Sequence, residues 1–449
     1  MKLSPEDLNY YNSHRSDSVS KMACWSPVKN LFIGLRGKIM TCCYNKAYLL
    51  GEYPSQSLHE IWFGEKRKEL TESLKENDFS KGCQNCLEVI RARNMGGLTA
   101  KKFDHLPLNE TYPTRIDFEL SNECNLECIM CRGEFSSSIR KNVEKLPPIQ
   151  NPYNKNLLAE LEEFIPHLVS CHFLGGEPFL IPIYLDIWDL IAEINPSCRI
   201  SILTNGTILS DRVKHILEKI NCDVGVSIDS IHSDTYAHIR KNGNLEKVKS
   251  NIAYLRDYTL RKKTNFYLSS CAMNLNANEF VDITDYANSL NCEVFFTRVT
   301  YPRALSLEIK SKEELTQMIH RIRNASLPKN TKVEINNHKT LNDLANHIEH
   351  WGSNSLDFSA PDNLTEYLSE LHKFLQQKNP IEYASLYTNI ENKLLYLLEK
   401  ARNNHAYEEA QKKICEVPYK TLYEMVPSIE KEHLLHLFQT FIIPIESTK

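Results

Sequence analysis

Between about Thr111 and Val299 short apolar runs alternate with longer stretches in which apolar residues recur every three or four positions. The short runs predict strands at Thr114–Leu120, Leu168–Leu174, Arg199–Thr204, Asp223–Ile228, Phe266–Met273 and Glu293–Val299. The longer ones predict helices near Asn156–His167, Tyr184–Ile194, Asp211–Ile220, Leu245–Tyr258 and Glu279–Leu290. Ser210 and Asn278 stand before two of these helices as N-cap candidates. Strands joined by helical crossovers form a parallel sheet of the α/β class, and six of them predict an open or partial (β/α)6 barrel of the TIM type. In such folds chemistry collects at the C-terminal strand ends. The polar and glycine-rich signals fall there: Cys124–Cys131 after the first strand, Gly175-Gly176-Glu177-Pro178 after the second, Thr204-Asn205-Gly206 after the third, Ser227-Ile228-Asp229 at the fourth.

The flanks have a different texture. Cys24 opens an apolar stretch that runs to Gly37, a turn position before Lys38–Cys42, so a hairpin is expected. Ser57 and Glu60 have capping-box spacing ahead of a helix expected over about Leu58–Glu76, and Cys83-Gln84-Asn85-Cys86 follows. Beyond Tyr301 the pattern is helical; Leu364, Leu368, Leu371 and Leu375 keep a helical stripe, and Gly352–Asn363 reads as a linker. The expected organisation is a tail over 1–23, a small α+β module over 24–105, the α/β core over 110–302 and a mainly helical region over 303–449.

Length and composition agree with several folded units: 449 residues exceed one ordinary core, and 42% apolar with 24% charged residues is a globular balance. A formal net charge of −4 argues against a nucleic-acid-coating surface. The opening MKLSPEDLNYYNSHRSDSVS has no apolar secretory segment and no apolar run approaches the ~20 residues of a membrane helix, so a cytoplasmic location with no membrane partner is expected.

Fourteen cysteines without such a segment point to metal or redox chemistry more than to disulfides. Cys171, Cys198, Cys222 and Cys292 lie in or beside apolar runs and read as core residues. Cys124, Cys128 and Cys131 differ. A C-x3-C-x2-C loop arises by accident in roughly one chain of this composition in 70. It supplies three thiolates to a [4Fe–4S] cube that takes four, leaving one iron open.

With Gly175-Gly176-Glu177-Pro178 after strand two and Ser227-Ile228-Asp229 at strand four, in that order, residues 111–300 resemble the radical S-adenosylmethionine (SAM) enzymes. The resemblance implies that Cys124, Cys128 and Cys131 hold a [4Fe–4S] cluster whose open iron is chelated by SAM. One-electron reduction then cleaves the sulfonium to methionine and a 5′-deoxyadenosyl radical that abstracts hydrogen from substrate. It also implies an oxygen-sensitive enzyme with a flavodoxin- or ferredoxin-type electron donor. Carried over onto this chain, Met130 packs near adenine, Gly175, Gly176 and Glu177 approach the methionine ammonium, and Ser227 and Asp229 contact the ribose or carboxylate. Asn205 and Arg240 are weaker carry-overs; Arg240 pairs with the SAM carboxylate or is a solvent-facing helix charge.

The upstream module resembles the auxiliary-cluster domain called SPASM, or its shortened form, twitch. Cys24, Gly37 and Cys42, then Ser57–Trp62, then Cys83 and Cys86 fit the opening and middle of that pattern, which normally follows the radical core instead of preceding it. One closed auxiliary [4Fe–4S] cluster on Cys24, Cys42, Cys83 and Cys86 is implied, with Cys43 a competitor for Cys42. A zinc site on two thiol pairs is the alternative.

Substrate-side candidates are Cys271, a hydrogen-donor position in some relatives or else a buried strand cysteine, and Arg298 with Tyr301, which bind a carboxylate or phosphate or merely seal the barrel. A peptide or protein side chain is the leading substrate class, and a small sugar, cyclitol or amino compound the alternative. An electron carrier without SAM turnover is the rival from another class. Anaerobically reconstituted protein is expected to hold about eight irons per chain, and a Cys83→Ala/Cys86→Ala variant about four, by iron and sulfide assay. A variant that loses no iron overturns the auxiliary cluster.

Overall fold

The structure is a computed structural model describing residues 1–16, 20–299, 302–354, 363–379, 383–403, 407–415, 417 and 419. Alternation along the chain produces strands whose two faces differ. The strands are β1 (Asn30–Ile33), β2 (Lys38–Met40), β3 (Gly51–Glu52), β4 (Arg115–Phe118), β5 (Glu127–Cys128), β6 (Ser170–Phe173), β7 (Arg199–Thr204), β8 (Asn221–Ser227), β9 (Arg240–Lys241), β10 (Phe266–Ala272) and β11 (Glu293–Arg298). Nine form one sheet in the order β11-β10-β8-β7-β6-β4-β1-β2-β3, and β5 pairs with β9 separately.

The six expected core strands are all present and parallel, giving the α/β partial barrel. Ile200, Ile202, Val224, Val226 and Leu268 are buried on the helix-covered face. Their alternates His172, Ser201, Ser227, Tyr267, Ser269 and Cys271 are only partly covered and line the inner face. The interior of this barrel is therefore polar.

The expected hairpin forms, with β2 antiparallel to β1. Its first strand also joins the core: β1 runs parallel to β4, pairing Asn30–Ile33 with Arg115–Phe118, as a seventh parallel strand. Leu31, Phe32 and Ile33 are fully buried, so this short run needed cover on both faces. Nothing in its period says which edge it would join.

Two local expectations change. The Ser57–Glu60 capping box is present, but the expected Leu58–Glu76 helix is two, Leu58–Trp62 and Glu65–Lys75, broken at Gly64. Ser210 caps Asp211–Leu217, whereas the helix Phe280–Ser289 starts from Glu279 without a side-chain cap. The Asn278 side chain instead accepts from Arg321 Nη1 at 2.9 Å.

Helices lock the outer face. Trp188, on Pro182–Ile194, is fully buried with ring centroids 5.3 Å from Phe173 and 5.9 Å from Phe179. Tyr258, on Leu245–Lys262, accepts from Cys222 N at 3.0 Å and donates to Ile220 O at 2.9 Å, fastening its helix to the start of β8. Cys171, Cys198, Cys222 and Cys292 are buried, as expected.

The chain divides into two compact units, one of residues 1–301, 305–307 and 320–345, the other of 302–304, 308–319 and 346–449. In the second, the helices Leu364–Lys378, Tyr383–Asn403 and Tyr407–Cys415 pack through Tyr367, Leu371, Leu375, Ile390, Leu394 and Ile414. Leu371 and Leu375 of the stripe are buried, with Leu364 and Leu368 packed against them. Of the expected 352–363 linker, residues 352–354 end a helix and the next eight lie outside the described residues. No helix among the described residues is long and apolar enough to cross a membrane.

Trp188 Nε1 is buried without a hydrogen-bond partner. Trp188→Ala should therefore destabilise the chain by about 3–5 kcal/mol, and Trp188→Phe, which removes the unpaired N–H, by under about 1.5 kcal/mol. Urea unfolding followed by circular dichroism checks both.

Candidate active site

The Cys124–Cys131 loop leaves β4 and is gripped from two sides. Below it, β5 pairs with β9, setting Cys128 opposite Arg240, and Ile129 N donates to Ile239 O at 3.0 Å. Two-residue strands have no period to read, and neither β5 nor β9 was legible in the sequence. Beside it, Gly175 and Gly176 pass against residues 121–123. A Cβ on Gly175 would stand 2.5 Å from Ser121 O, and one on Gly176 2.0 Å from Glu123 O. Glu177 N then donates to Glu123 O at 2.6 Å. The two glycines are the contact that seats the cysteine loop.

Glu177 is fully buried, and its carboxylate accepts from Thr204 Oγ1 at 2.6 Å, Asn205 N at 2.7 Å and Phe179 N at 3.1 Å. Burial outweighs these three donors and pushes its pKa up to about 7. It thus ties the second strand end to the third. Asn205 lies with its Nδ2 3.9 Å from Cys124 Sγ and 3.1 Å from Asn125 Oδ1. Thr207 Oγ1 donates to Asn205 Oδ1 at 2.6 Å, and Asn125 Nδ2 to Thr207 Oγ1 at 3.0 Å. Asn125 and Thr207 were not singled out from sequence; the available signal was an Asn inside the cysteine loop and a second hydroxyl in Thr204-Asn-Gly-Thr207.

On the other side, Arg240 is buried, with Nε 2.8 Å from Asp229 Oδ2 and Nη1 4.0 Å from Cys128 Sγ. The Nε–H does not point along that oxygen, so the contact is an ion pair without an aligned hydrogen bond. Arg240 is thus not a solvent-facing charge. Asp229, fully buried, also accepts from Cys271 N at 2.6 Å, and Asn276 braces the same corner, donating to Asp229 O at 2.7 Å and Cys271 O at 2.9 Å. Ser227 is half-buried at the end of β8. Met130 and Cys271 share a small apolar cluster with Ile239, Met273 and Val299. Burial, and then the negative charge of Asp229, push the Cys271 thiol up to about 12.

Arg298 is placed differently from expectation. Alternation sets it with Val294 and Phe296 on the helix side of β11, while Phe295 and Thr297 take the inner face; Cys271 pairs with Thr297. Tyr301 lies outside the described residues.

Cys124, Cys128 and Cys131 are half-buried, with Cys131 N donating to Cys128 O at 2.9 Å. Burial raises all three thiols, Cys124 to about 11 and Cys131 to about 12; the Cys128 charge adds to the rise at the other two, while Arg240 opposes it at Cys128. In the upstream module Cys24 and Cys42 are buried, and Cys83 and Cys86 are half-buried on the turn and helix around Gln84–Arg91. Burial comes first in raising Cys42, Cys83 and Cys86, and the neighbouring Cys24 charge comes next for each. Asn45 Nδ2 donates to Cys83 Sγ at 3.3 Å. Cys43 is half-buried, and burial and then the negative charge of Asp117 raise its thiol.

Among the described residues no three Cys, His, Asp or Glu side chains close around one point as the ligands of a single ion do. N–H donors do stand beside three of the sulfurs: Asn45 Nδ2 at Cys83, Asn205 Nδ2 at Cys124 and Arg240 Nη1 at Cys128.

Residues 118–287 match the family model of the radical SAM superfamily, whose members are enzymes, and residues 24–87 that of SPASM, an iron–sulfur cluster-binding domain. The chain carries a radical SAM domain with a SPASM-type module ahead of it; domains of these families bind [4Fe–4S] clusters and SAM. It is similar to the GTP 3′,8-cyclase of Clostridium perfringens (24% identical over 191 residues, 40% of this chain and 54% of the relative). It is also similar to the antilisterial bacteriocin subtilosin biosynthesis protein AlbA of Bacillus subtilis (28% over 149 residues, 32% and 31%). Among solved structures, Streptococcus suis SuiB bound to S-adenosylmethionine aligns with a TM-score of 0.36 at 14% identity, over 59% of each chain. The chain spans about half the length of the first curated relatives it matches.

Gly176→Ala drives a methyl into Glu123 O, so the variant should lose about four irons on reconstitution while its far-ultraviolet circular dichroism is kept. A full iron complement would show that the close approach does not seat the loop.

Proposed function

We propose that the chain is a SAM-cleaving enzyme that takes hydrogen from a peptide or protein side chain, with the SPASM-type cluster accepting or relaying an electron. One observation carries the SAM-cleaving part: Cys124, Cys128 and Cys131 share a loop held at the C-terminal strand ends by Gly176, Asn205 and Arg240. Bound there, a [4Fe–4S] cluster and SAM supply reductive cleavage of the sulfonium and a 5′-deoxyadenosyl radical.

The chain's own residues set the geometry. Asn205 and Arg240 aim N–H donors at two of the sulfurs, which lowers their charge density and tunes the potential. Glu177 orients Asn205 through its backbone. Asp229 keeps Arg240 under Cys128. Met130 and its apolar neighbours exclude water from that side. Cys24 acts on Cys42, Cys83 and Cys86 alike, which supports Cys24, Cys42, Cys83 and Cys86 as the auxiliary ligands, with Cys43 the competitor for Cys42.

The peptide reading is supported by the likeness to a bacteriocin biosynthesis protein and by the open inner face at the sheet's edge, where Phe295 is 45% exposed beside Thr297. An extended chain can run along such an edge. The likeness to a GTP cyclase supports the second reading, a small polar substrate.

Anaerobic incubation with SAM and dithionite should release 5′-deoxyadenosine, and Cys128→Ala should reduce that release at least 100-fold, by chromatography. No release from the fully clustered protein would favour an electron carrier. A mass change in a short peptide encoded beside the gene separates the two substrate readings.

A further inference from the structure

Two of the upstream cysteines have polar hydrogens close to their sulfurs. Cys24 is followed two residues later by Ser26, which opens the short helix Ser26–Lys29. Ser26 N donates to Cys24 Sγ at 3.5 Å, and Ser26 Oγ lies 3.3 Å from the same sulfur. Thr41, directly after β2 and next to Cys42, donates from Oγ1 to Ser26 Oγ at 3.0 Å. Cys24, Ser26 and Thr41 are all buried. Asn45 Nδ2 donates to Cys83 Sγ at 3.3 Å. At the core loop the donors stand farther off, Asn205 Nδ2 3.9 Å from Cys124 Sγ and Arg240 Nη1 4.0 Å from Cys128 Sγ.

The Cys24–Ser26–Thr41 contact is held from three directions. Ala23 N donates to Leu74 O at 2.9 Å and Ala23 O accepts from Tyr11 Oη at 2.8 Å, which fixes the backbone before Cys24. Lys29 N donates to Trp25 O at 3.0 Å and closes the turn that carries Ser26. Thr41 O accepts from Asn30 Nδ2 at 2.8 Å, so the start of β1 positions Thr41.

The direction of the Ser26 hydroxyl follows from its neighbours. A Cys24 thiol can donate to Ser26 Oγ, but a thiolate bound to iron has no proton to give. Ser26 Oγ already accepts from Thr41, so its own O–H is the hydrogen left to point at the sulfur. A cluster-bound Cys24 thereby gains two donors from one residue. Hydrogen bonds to cluster sulfurs favour the more negative, reduced state and raise the potential.

We propose that Ser26, oriented by Thr41, is the positioning residue that raises the midpoint of the auxiliary cluster and suits it to accept an electron from the substrate radical. In that step the neutral radical loses one electron and the cluster gains it. The resulting cation sheds a proton to solvent, and Ser26 keeps its own. The inference rests on the reading of Cys24, Cys42, Cys83 and Cys86 as ligands of one auxiliary [4Fe–4S] cluster, and it deepens that cluster's accepting role.

Potentiometric titration followed by electron paramagnetic resonance tests it in the holoenzyme and in Cys124→Ala/Cys128→Ala/Cys131→Ala, which isolates the auxiliary signal. In either background Ser26→Ala should shift the one-electron equilibrium about tenfold toward the oxidised cluster, a fall in midpoint of about 59 mV. Ser26→Thr keeps the hydroxyl and should reverse most of that fall. Thr41→Val removes the donor that orients Ser26 and should give a smaller fall of the same sign. Absence of any auxiliary signal in the parent chains would sink the cluster reading itself. An unchanged midpoint in Ser26→Ala, or a fall that Ser26→Thr leaves in place, would overturn the role of Ser26 alone. Where Ser26→Ala takes up no iron, Thr41→Val decides: a fall supports the hydroxyl pair, and an unchanged midpoint overturns it.

Discussion

The ion pair between Asp229 and Arg240 is the constraint on which the site depends. Both side chains are buried, so neither charge is tolerable without the other, and removing one partner leaves an uncompensated charge. The pair links three places distant in sequence: Asp229 follows β8 and holds the backbone of Cys271 in β10, while Arg240 opens β9 and faces Cys128 across the β5–β9 ladder. A flexible cysteine loop thereby acquires a fixed floor. Asn276 repeats the strategy in neutral form, hydrogen-bonding the backbone of both neighbouring segments.

The opposite wall of the loop is held by the absence of side chains. Gly175 and Gly176 let the second strand end pass within backbone contact of residues 121–123, and Glu177 turns that contact toward the third strand through Thr204 and Asn205. Charge on one side and close packing on the other leave the three thiols on the face between, with Asn205 and Arg240 as their N–H neighbours. The polar inner face beneath is the consequence of alternation in a barrel that is not closed: each strand buries one face under helices and leaves the other to a ligand.

Several of these elements were legible beforehand. The six core strands were found because each carries four or more residues of apolar pattern between helices of unmistakable period. The Cys124–Cys131 loop and Gly175–Glu177 stood out by spacing and order along the chain, and the structure brings them into contact. What escaped was short or non-local. β5 and β9 are two residues each. Asn125 and Thr207 are ordinary polar residues until the fold brings them to Asn205. Arg298 was singled out because it ends a strand, and its parity with Val294 and Phe296 sets it on the helix side.

The sequence by itself determined the class of the sheet, the order of its core strands and the spacing of the Cys124–Cys131 loop after the first of them, because period and spacing are local properties of the chain. Only the tertiary structure decided that β1 of the upstream module extends the core sheet and that Arg240 lies beside Asp229 with its guanidinium at Cys128. Those outcomes depend on which edge a buried strand joins and on which charges are neutralised by residues far away in sequence. Neither is written in any window of the chain.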